Sequence, residues 1–216
     1  MSFGALIIGG ITMLVSFIVS QTLKSKFKKF SKTPISNGLS GREIAELMLR
    51  ENGVYDVQVI STPGKLTDHY NPENKTVNLS IEVYEGRNMA AAAVAAHECG
   101  HAVQHAESYA MLQLRSSLVP IQNVSSSVIN FIFIMMMLGS WVIGASAWHY
   151  GLIVVIFCYA VFTTFAFVTL PVEFDASNRA LAWISSKRIF ENEEYGKAKN
   201  ALWWAAMTYV VAAIGS

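Results

Sequence analysis

Long apolar blocks alternate with one polar stretch along this chain of 216 residues. The first block covers residues 3–20 and is followed by a cluster of lysines: Lys24, Lys26, Lys28, Lys29 and Lys32. A cleavable signal peptide carries its positive charges before the apolar core. The reversed order therefore favours a membrane anchor over residues 1–22, with a signal peptide as the alternative. Because positively charged flanks stay in the cytoplasm, the pattern predicts an N-terminus outside the cell.

Two more apolar blocks cover residues 128–147 and 150–170. The sequence AWHYG between them is so short that it predicts a tight turn at one membrane face, where Trp148 and Tyr150 suit the interface. The two blocks should therefore form a transmembrane hairpin over residues 128–170, and we expect Pro171 to end its second helix.

The chain after the hairpin is expected to return to the cytoplasm. Residues 171–200 carry a second group of basic side chains: Lys187, Arg188, Lys197 and Lys199. Residues 201–216 are apolar and aromatic but few, so they predict a fourth transmembrane helix that the end of the chain would truncate. One crossing followed by a hairpin places residues 36–120 and 171–200 in the same compartment.

The polar stretch, residues 36–120, has the pattern of a small α+β unit. Its first part, SGREIAELMLRENG, predicts a helix with a capping box formed by Ser40 and Glu43. The segments VYDVQVI and KTVNLS are typical of two short strands. A longer helical pattern runs from about residue 88 to 118 and should end near Pro120.

Composition agrees with a membrane protein. The chain is 53% hydrophobic and 14% charged, against about 25% charged residues in an average soluble domain. We therefore expect a mostly α-helical integral membrane protein with three to four transmembrane helices and a small cytoplasmic α+β unit. The net charge of +1 and the lack of a basic stripe give no indication of nucleic-acid binding. Cys99 and Cys158 lie in such different contexts that no disulfide is expected.

The heptapeptide AAHECGH, residues 95–101, carries the candidate chemistry. His97 and His101 are four residues apart, so on a helix their side chains share one face and can bind one zinc ion. Glu98 lies one step round the helix, as in the HExxH arrangement of zinc hydrolases. The alternatives are a chance match and a buried histidine pair with a structural role.

A catalytic zinc site needs a third protein ligand, and the segment PVEFDASNRA supplies the best candidate, Glu173. Glu173 follows the hairpin on the side where the topology also places the HExxH helix. Asp175 is the competing ligand, and an ion pair between Glu173 and Arg179 is the structural alternative. His105 shares the face of His97 and His101, but three ligands spaced evenly along one rigid helix cannot close a tetrahedron.

Three segments in this order, LTDHYNPENKTVNLS, AAHECGHAVQH and LPVEFDASNRA, resemble the neutral zinc metallopeptidase family of bacterial membrane proteins, the YugP-like proteins. The resemblance covers essentially the whole chain and implies a zincin-like unit over residues 36–120. More distantly, Glu173 and Ala176 resemble the third-ligand helix of HtpX-like and CAAX-prenyl membrane proteases. Those enzymes usually have an aspartate four residues after the glutamate, where this chain has Ser177. The difference leaves open which groups support the histidines.

These features predict a membrane-embedded, zinc-dependent endopeptidase of the cell (inner) membrane, in which Glu98 acts as general base. The expected substrate is a membrane-associated peptide or protein, and KTVNLS could serve as the edge strand that receives it. The candidates for transition-state or supporting roles are His69, Tyr70, Asp175, Ser177 and Arg179. Two other functions remain open: a metal-stabilised membrane scaffold without activity, and an intramembrane protease of the site-2 type. Two histidines and a carboxylate suit zinc, with other divalent ions as the alternative.

Overall fold

The computed structural model describes residues 3–139 and 145–216. These residues are mostly helical, with one small sheet. The elements in chain order are α1 (Phe3–Phe30), α2 (Gly41–Glu51), β1 (Gln58–Thr62), β2 (His69–Asn71), β3 (Thr76–Ser80), α3 (Ile81–Tyr84), α4 (Met89–Ala106), α5 (Ala110–Gly139), α6 (Ala145–Ser186) and α7 (Asn192–Gly215).

Among the described residues, three helical segments are long and apolar enough to cross a membrane. They are Leu6–Phe30 in α1, Ala110–Met137 in α5 and His149–Ser186 in α6. Their apolar side chains are largely exposed on the protein surface, as expected for helices that face lipid. Helix α7 is not one of these segments, so the fourth transmembrane helix stays a prediction.

The expected boundaries of the hairpin are wrong in two respects. The AWHYG segment does not form a turn, because α6 already begins at Ala145. The connection from α5 to α6 falls in residues 140–144, outside the described part of the chain. Pro120 and Pro171 do not end helices either, since they lie inside α5 and α6. A helical proline removes one backbone donor, and long packed helices tolerate that loss.

The sheet has the strand order β1-β3-β2, with β1 parallel and β2 antiparallel to β3. The segment KTVNLS is confirmed as a strand, but its prediction as an edge strand is wrong, because β3 lies in the centre and pairs on both sides. The edge near α4 is β2, which is too short to give a sequence pattern. Strand β1 begins four residues later than VYDVQVI indicated and ends at Thr62.

The core of the polar unit lies between the sheet, α2 and α4. Its largest fully buried side chains include Ile44, Met48, Leu79 and Met89. Helix α2 begins with the predicted capping box: the Ser40 backbone N–H donates to the Glu43 carboxylate at 2.7 Å, and the Glu43 N–H donates to the Ser40 hydroxyl at 3.2 Å.

Helix α6 connects the apolar hairpin with the polar unit. It packs against α5 along the hairpin and then against α4 and α7, while α1 packs against α7. Because α6 continues for 42 residues without a break, its C-terminal part lies against α4. The long helix thereby brings the segment PVEFDASNRA to the HExxH helix.

Candidate metal centre

Two histidines of α4 and one glutamate of α6 meet at the junction of these helices. The ligand atoms of His97, His101 and Glu173 all lie within 4.8 Å of one another. The Glu173 Oε2 atom lies 3.3 Å from the His97 Nε2 atom and 3.6 Å from the His101 Nε2 atom. The two imidazole rings are nearly perpendicular, with centroids 4.9 Å apart. This arrangement can hold a metal ion between the three side chains.

The Glu173 carboxylate fits a cation. Its side chain is almost fully buried, and its Oε2 atom has no hydrogen-bond partner among the residues that the structure describes. Buried polar atoms nearly always have partners, so this oxygen fits a position that binds an ion. The Oε1 atom faces the Arg115 guanidinium at 3.7 Å. A cation beside the imidazoles would satisfy the remaining oxygen, and His, His and Glu form a donor set that zinc favours.

The carboxylates around the His101 imidazole favour a positive charge on or beside this ring. Burial alone would lower the pKa of the His101 imidazole. The Glu173 carboxylate and the negative charge of Glu98 act against burial and raise the pKa of His101 above its usual value. The centre is thus a buried position with an excess of negative charge.

Gln104 fixes the orientation of His101. Its Nε2 atom donates to the Val172 carbonyl and to the Asp175 carboxylate, both at 2.8 Å. Because both partners can only accept, the amide oxygen of Gln104 must face the His101 Nδ1 atom, 3.0 Å away. His101 therefore carries its proton on Nδ1, which leaves Nε2 free to face Glu173.

Ser177 supports the other histidine. Its hydroxyl lies 3.1 Å from the His97 Nδ1 atom, so it can accept a hydrogen bond from Nδ1–H and leave Nε2 available. Ser177 stands at the position where the distant resemblance seen in the sequence would place an aspartate. Together, Ser177 and Gln104 answer the question that this difference raised, because neutral groups hold the outer nitrogen of both imidazoles.

Glu98 lies beside the metal-binding group and not within it. Its Oε2 atom accepts a hydrogen bond from the Tyr70 backbone N–H at 3.1 Å. That N–H belongs to the edge strand β2, so the contact ties the strand to α4. Glu98 is largely buried but lines two cavities at the centre.

The structure brings only some of the other predicted residues to the centre. The Tyr70 hydroxyl is hydrogen-bonded to the His105 Nδ1 atom at 2.7 Å. His105 thus has a partner away from the metal-binding group. Arg179 pairs with Asp175 at 2.5 Å and with Glu107 at 2.6 Å. Asp175 contacts Gln104 and does not join Glu173.

Among the predicted loop residues, His69 comes close to the centre. It lines the same cavity as the two histidines and Glu98, and its Nδ1 atom is 2.7 Å from the Thr67 carbonyl oxygen.

Gln104, Arg115 and Tyr209 also belong to this centre, and the sequence did not predict them. Gln104 follows His101 by three residues, so the helical period could have placed it beside that histidine. Arg115 lies in α5 and Tyr209 in α7, distant elements whose packing no local pattern reveals. Tyr209 lines both cavities at the centre.

Two cavities meet at the centre and share five lining residues: Asp68, His97, Glu98, Glu173 and Tyr209. The first, called the α1 cavity, has a volume of about 410 Å³ and continues between α1 and α7. The second, called the α5 cavity, has a volume of about 280 Å³ and continues between β2 and α5. The centre is therefore open on two sides.

The described residues combine three helices that could span a membrane with a candidate zinc-binding HExxH helix and a glutamate on a second helix. Comparison with known proteins gives the family. The chain matches the family described as "Putative neutral zinc metallopeptidase" over residues 5–216 and belongs to it. It is 44% identical over 202 residues to the "Putative membrane protease YugP" of Bacillus subtilis (strain 168), covering 94% of this chain and 87% of that protein. No solved structure matches the chain significantly.

Proposed function

We propose that the chain is a membrane-embedded, zinc-dependent endopeptidase. The observation that carries this proposal is the buried oxygen of Glu173 without a hydrogen-bond partner, which lies between the imidazoles of an HExxH helix. Family membership and the similarity to a membrane protease support it. His97, His101 and Glu173 would hold the metal.

Glu98 is the proposed general base. A bound zinc ion supplies Lewis-acid polarisation of the scissile carbonyl and acidifies water. Glu98 accepts one proton of the attacking water while the water oxygen forms a bond to the carbonyl carbon. When the carbon–nitrogen bond breaks, Glu98 passes this proton to the leaving amine. The bond from the Tyr70 N–H keeps one carboxylate oxygen fixed, so the carboxylate is oriented before the substrate arrives.

The edge strand β2 and the hydroxyl of Tyr209 complete the proposed site. A peptide in extended form would pair with backbone groups on the free side of β2 other than the Tyr70 N–H, which Glu98 already holds. In this role β2 replaces KTVNLS, which the sequence indicated as the edge strand. Tyr209 is the proposed donor to the developing oxyanion, because it lines both cavities beside Glu98 and Glu173.

The proposed location is the cell membrane, with several membrane crossings and the centre on the cytoplasmic side. The lysines that follow the apolar part of α1 support this orientation. A cysteine introduced at the exposed Glu73 should not react with a membrane-impermeant maleimide in intact cells and should react after lysis. Labelling in intact cells would show that the centre faces the outside of the cell instead.

The arrangement does not favour the site-2 type of intramembrane protease. Helix α4 carries the HExxH motif, and it is not among the three described helices that could span a membrane. A metal-stabilised scaffold differs from the proposed enzyme in one measurable respect: it would contain metal without any turnover.

The decisive experiment compares purified wild type with Glu98→Gln and with Glu73→Gln, a matched control on the exposed β2–β3 turn. Zinc content and cleavage of an unfolded protein such as casein are measured for each. We expect one bound zinc in all three proteins and proteolysis in all but Glu98→Gln. Full proteolysis by Glu98→Gln would remove this residue from the mechanism, and zinc without turnover in wild type would favour the scaffold.

A further inference from the structure

The α1 cavity is walled by matching faces of two helices. Helix α7 contributes Leu202, Ala205, Ala206 and Tyr209, and helix α1 contributes Ser20, Leu23, Lys24, Phe27 and Lys28. Both sets follow the spacing of three and four residues that puts side chains on one helix face. The contributions of α7 and of Leu23 and Phe27 make the inside of the cavity mainly apolar.

Helix α1 indicates where this cavity lies relative to the membrane. Leu23 and Phe27 belong to the segment Leu6–Phe30, which is apolar and long enough to cross a membrane. They lie near its C-terminal end, among the lysines that favour the membrane surface. The α1 cavity therefore begins at the metal centre and reaches the level at which α1 leaves the bilayer.

A loop closes the third side of the cavity with an exposed leucine. Leu66 lines the cavity, is 68% exposed, and has a φ of +57°. The left-handed region is unfavourable for a leucine, so the surrounding loop must hold this residue in its conformation. The loop is anchored on both sides of Leu66, since Lys65 pairs with Glu82 at 2.7 Å and Asp68 accepts from the Ser80 N–H at 2.7 Å.

The α5 cavity on the other side of the centre has a different lining. It is lined by polar residues, His69, Arg115 and Ser116, and by apolar ones, Pro72, Leu112 and Val119, besides the residues shared at the centre. A peptide that passes the centre would thus meet a larger, mainly apolar surface on one side of the scissile bond and a smaller surface of mixed polarity on the other.

We infer that the α1 cavity is an apolar subsite that receives hydrophobic side chains on one side of the scissile bond of a polypeptide emerging from the membrane, with Leu66 and Ala205 as specificity-determining residues. This inference rests on the proposed function. The occupant follows from the continuity of the cavity with the metal centre and with the membrane-level part of α1. Leu66 covers the occupant from the solvent side, and Ala205 leaves the room that the occupant fills.

The test measures binding separately from cleavage. Zinc-loaded Glu98→Gln protein in lipid nanodiscs is titrated with two fluorescent twelve-residue peptides, one with an apolar half and a polar half and one polar throughout. Binding to empty nanodiscs is subtracted. Leu66→Ser and Ala205→Trp are introduced into the same background, and Ile81→Ser is the control, because Ile81 is an exposed apolar residue that does not line the cavity.

We expect the half-apolar peptide to bind about tenfold more tightly than the polar one, the gain from burying about one leucine-sized side chain. Leu66→Ser and Ala205→Trp should each remove this preference, and Ile81→Ser should keep it. Equal binding of the two peptides by the parent protein, or a preference that survives Leu66→Ser, would overturn the inference.

Cleavage by wild type then separates the two proposals. If wild type cleaves casein with no enrichment of apolar residues on one side of the cut, the subsite is refuted and the peptidase stands. If the half-apolar peptide binds with the expected dependence on Leu66 but no substrate is cleaved, the subsite stands and the peptidase fails.

Discussion

Gly100 of α4 lies so close to Ala176 of α6 that a Cβ atom at position 100 would be 2.5 Å from the Ala176 carbonyl oxygen. The neighbouring atoms are backbone atoms, which cannot rotate away. The absence of a side chain inside the HExxH motif is therefore what lets α6 approach α4. This approach brings Glu173, three residues before Ala176, to the histidines on either side of Gly100.

Gly100→Ala should separate α4 from α6 and weaken the metal centre. Overpacking of this kind costs about 1–3 kcal/mol of folding free energy, so the melting temperature in detergent should fall together with zinc affinity. The control is Gly196→Ala in α7, where a Cβ atom would meet nothing within 4 Å. A Gly100→Ala protein with unchanged zinc affinity would show that the contact does not position Glu173.

Glu173→Gln should lose the metal while the fold persists. The substitution keeps the shape of the side chain and removes its charge. Loss of an outer partner costs about 10–100-fold in metal affinity, and loss of a direct ligand should exceed that range. Zinc content after gel filtration measures the effect, with Glu107→Gln, at an exposed partner of Arg179, as the control. Wild-type zinc content in Glu173→Gln would refute the ligand assignment.

Ser177→Ala and Gln104→Ala should lower zinc affinity without removing a ligand. Each substitution deletes the hydrogen-bond partner of one imidazole Nδ1 atom, and a loss of about 10–100-fold is expected. Competition with a chelating dye measures it. Ser177→Asp should restore affinity, because a carboxylate also accepts from His97.

A suitable control for these variants is Ser186→Ala on the same helix, since the Ser186 hydroxyl donates to the Trp183 carbonyl within α6, away from the metal-binding group. If Ser186→Ala weakens zinc binding as much as Ser177→Ala does, the effect is a general loss of α6 stability.

Tyr209→Phe should slow catalysis more strongly than it weakens metal binding. Removing one oxyanion donor typically costs a hundredfold or more in kcat, about 3 kcal/mol, whereas KM and zinc content should stay close to wild type. Tyr195→Phe provides the control, because Tyr195 lies on α7 but packs against the core of the polar unit. An unchanged kcat in Tyr209→Phe would move the donor role to another group lining the cavities.

The capping box of α2 should make stability depend on pH. Hydrogen bonds from the Ser40 backbone and hydroxyl hold the pKa of Glu43 below its usual 4.5. The ionised carboxylate thus stabilises the folded state fully above that value, and this contribution is lost as the pH falls through the lowered folded pKa. Ser40→Ala should cost about 1 kcal/mol and flatten the pH dependence between neutral and acid. Melting temperatures of wild type, Ser40→Ala and Glu43→Gln across this range measure it.

The residues of the metal-binding group could be predicted from the sequence because helical spacing and the order of the apolar blocks determine where they lie. Helical spacing places His97 beside His101, and the topology of the apolar blocks brings Glu173 to the same side. The apolar character of the spanning segments is equally visible, since a membrane demands long uninterrupted runs. The capping box of Ser40 and Glu43 is a local pattern and was predicted for the same reason.

What the sequence concealed depends on packing between distant elements. Tyr209 belongs to the centre only because α7 lies against α6. Strand β2 exists because β3 holds it in register, and three residues carry no alternation of their own. Pro171 does not end α6 as its sequence indicated, because neighbouring helices stabilise α6 on several sides. In each case tertiary contacts override a local rule.

The continuity of α6 fixes a height. At 1.5 Å per residue, its 42 residues extend about 63 Å, twice the roughly 30 Å of a hydrocarbon core. Glu173 lies 28 residues after Ala145, about 42 Å along the rod. In a bilayer the metal centre would therefore stay at a constant height above the membrane surface, because a rigid helix and not a flexible linker sets the distance. The metal centre would then reach a peptide bond of a neighbouring chain only at one fixed distance from the lipid.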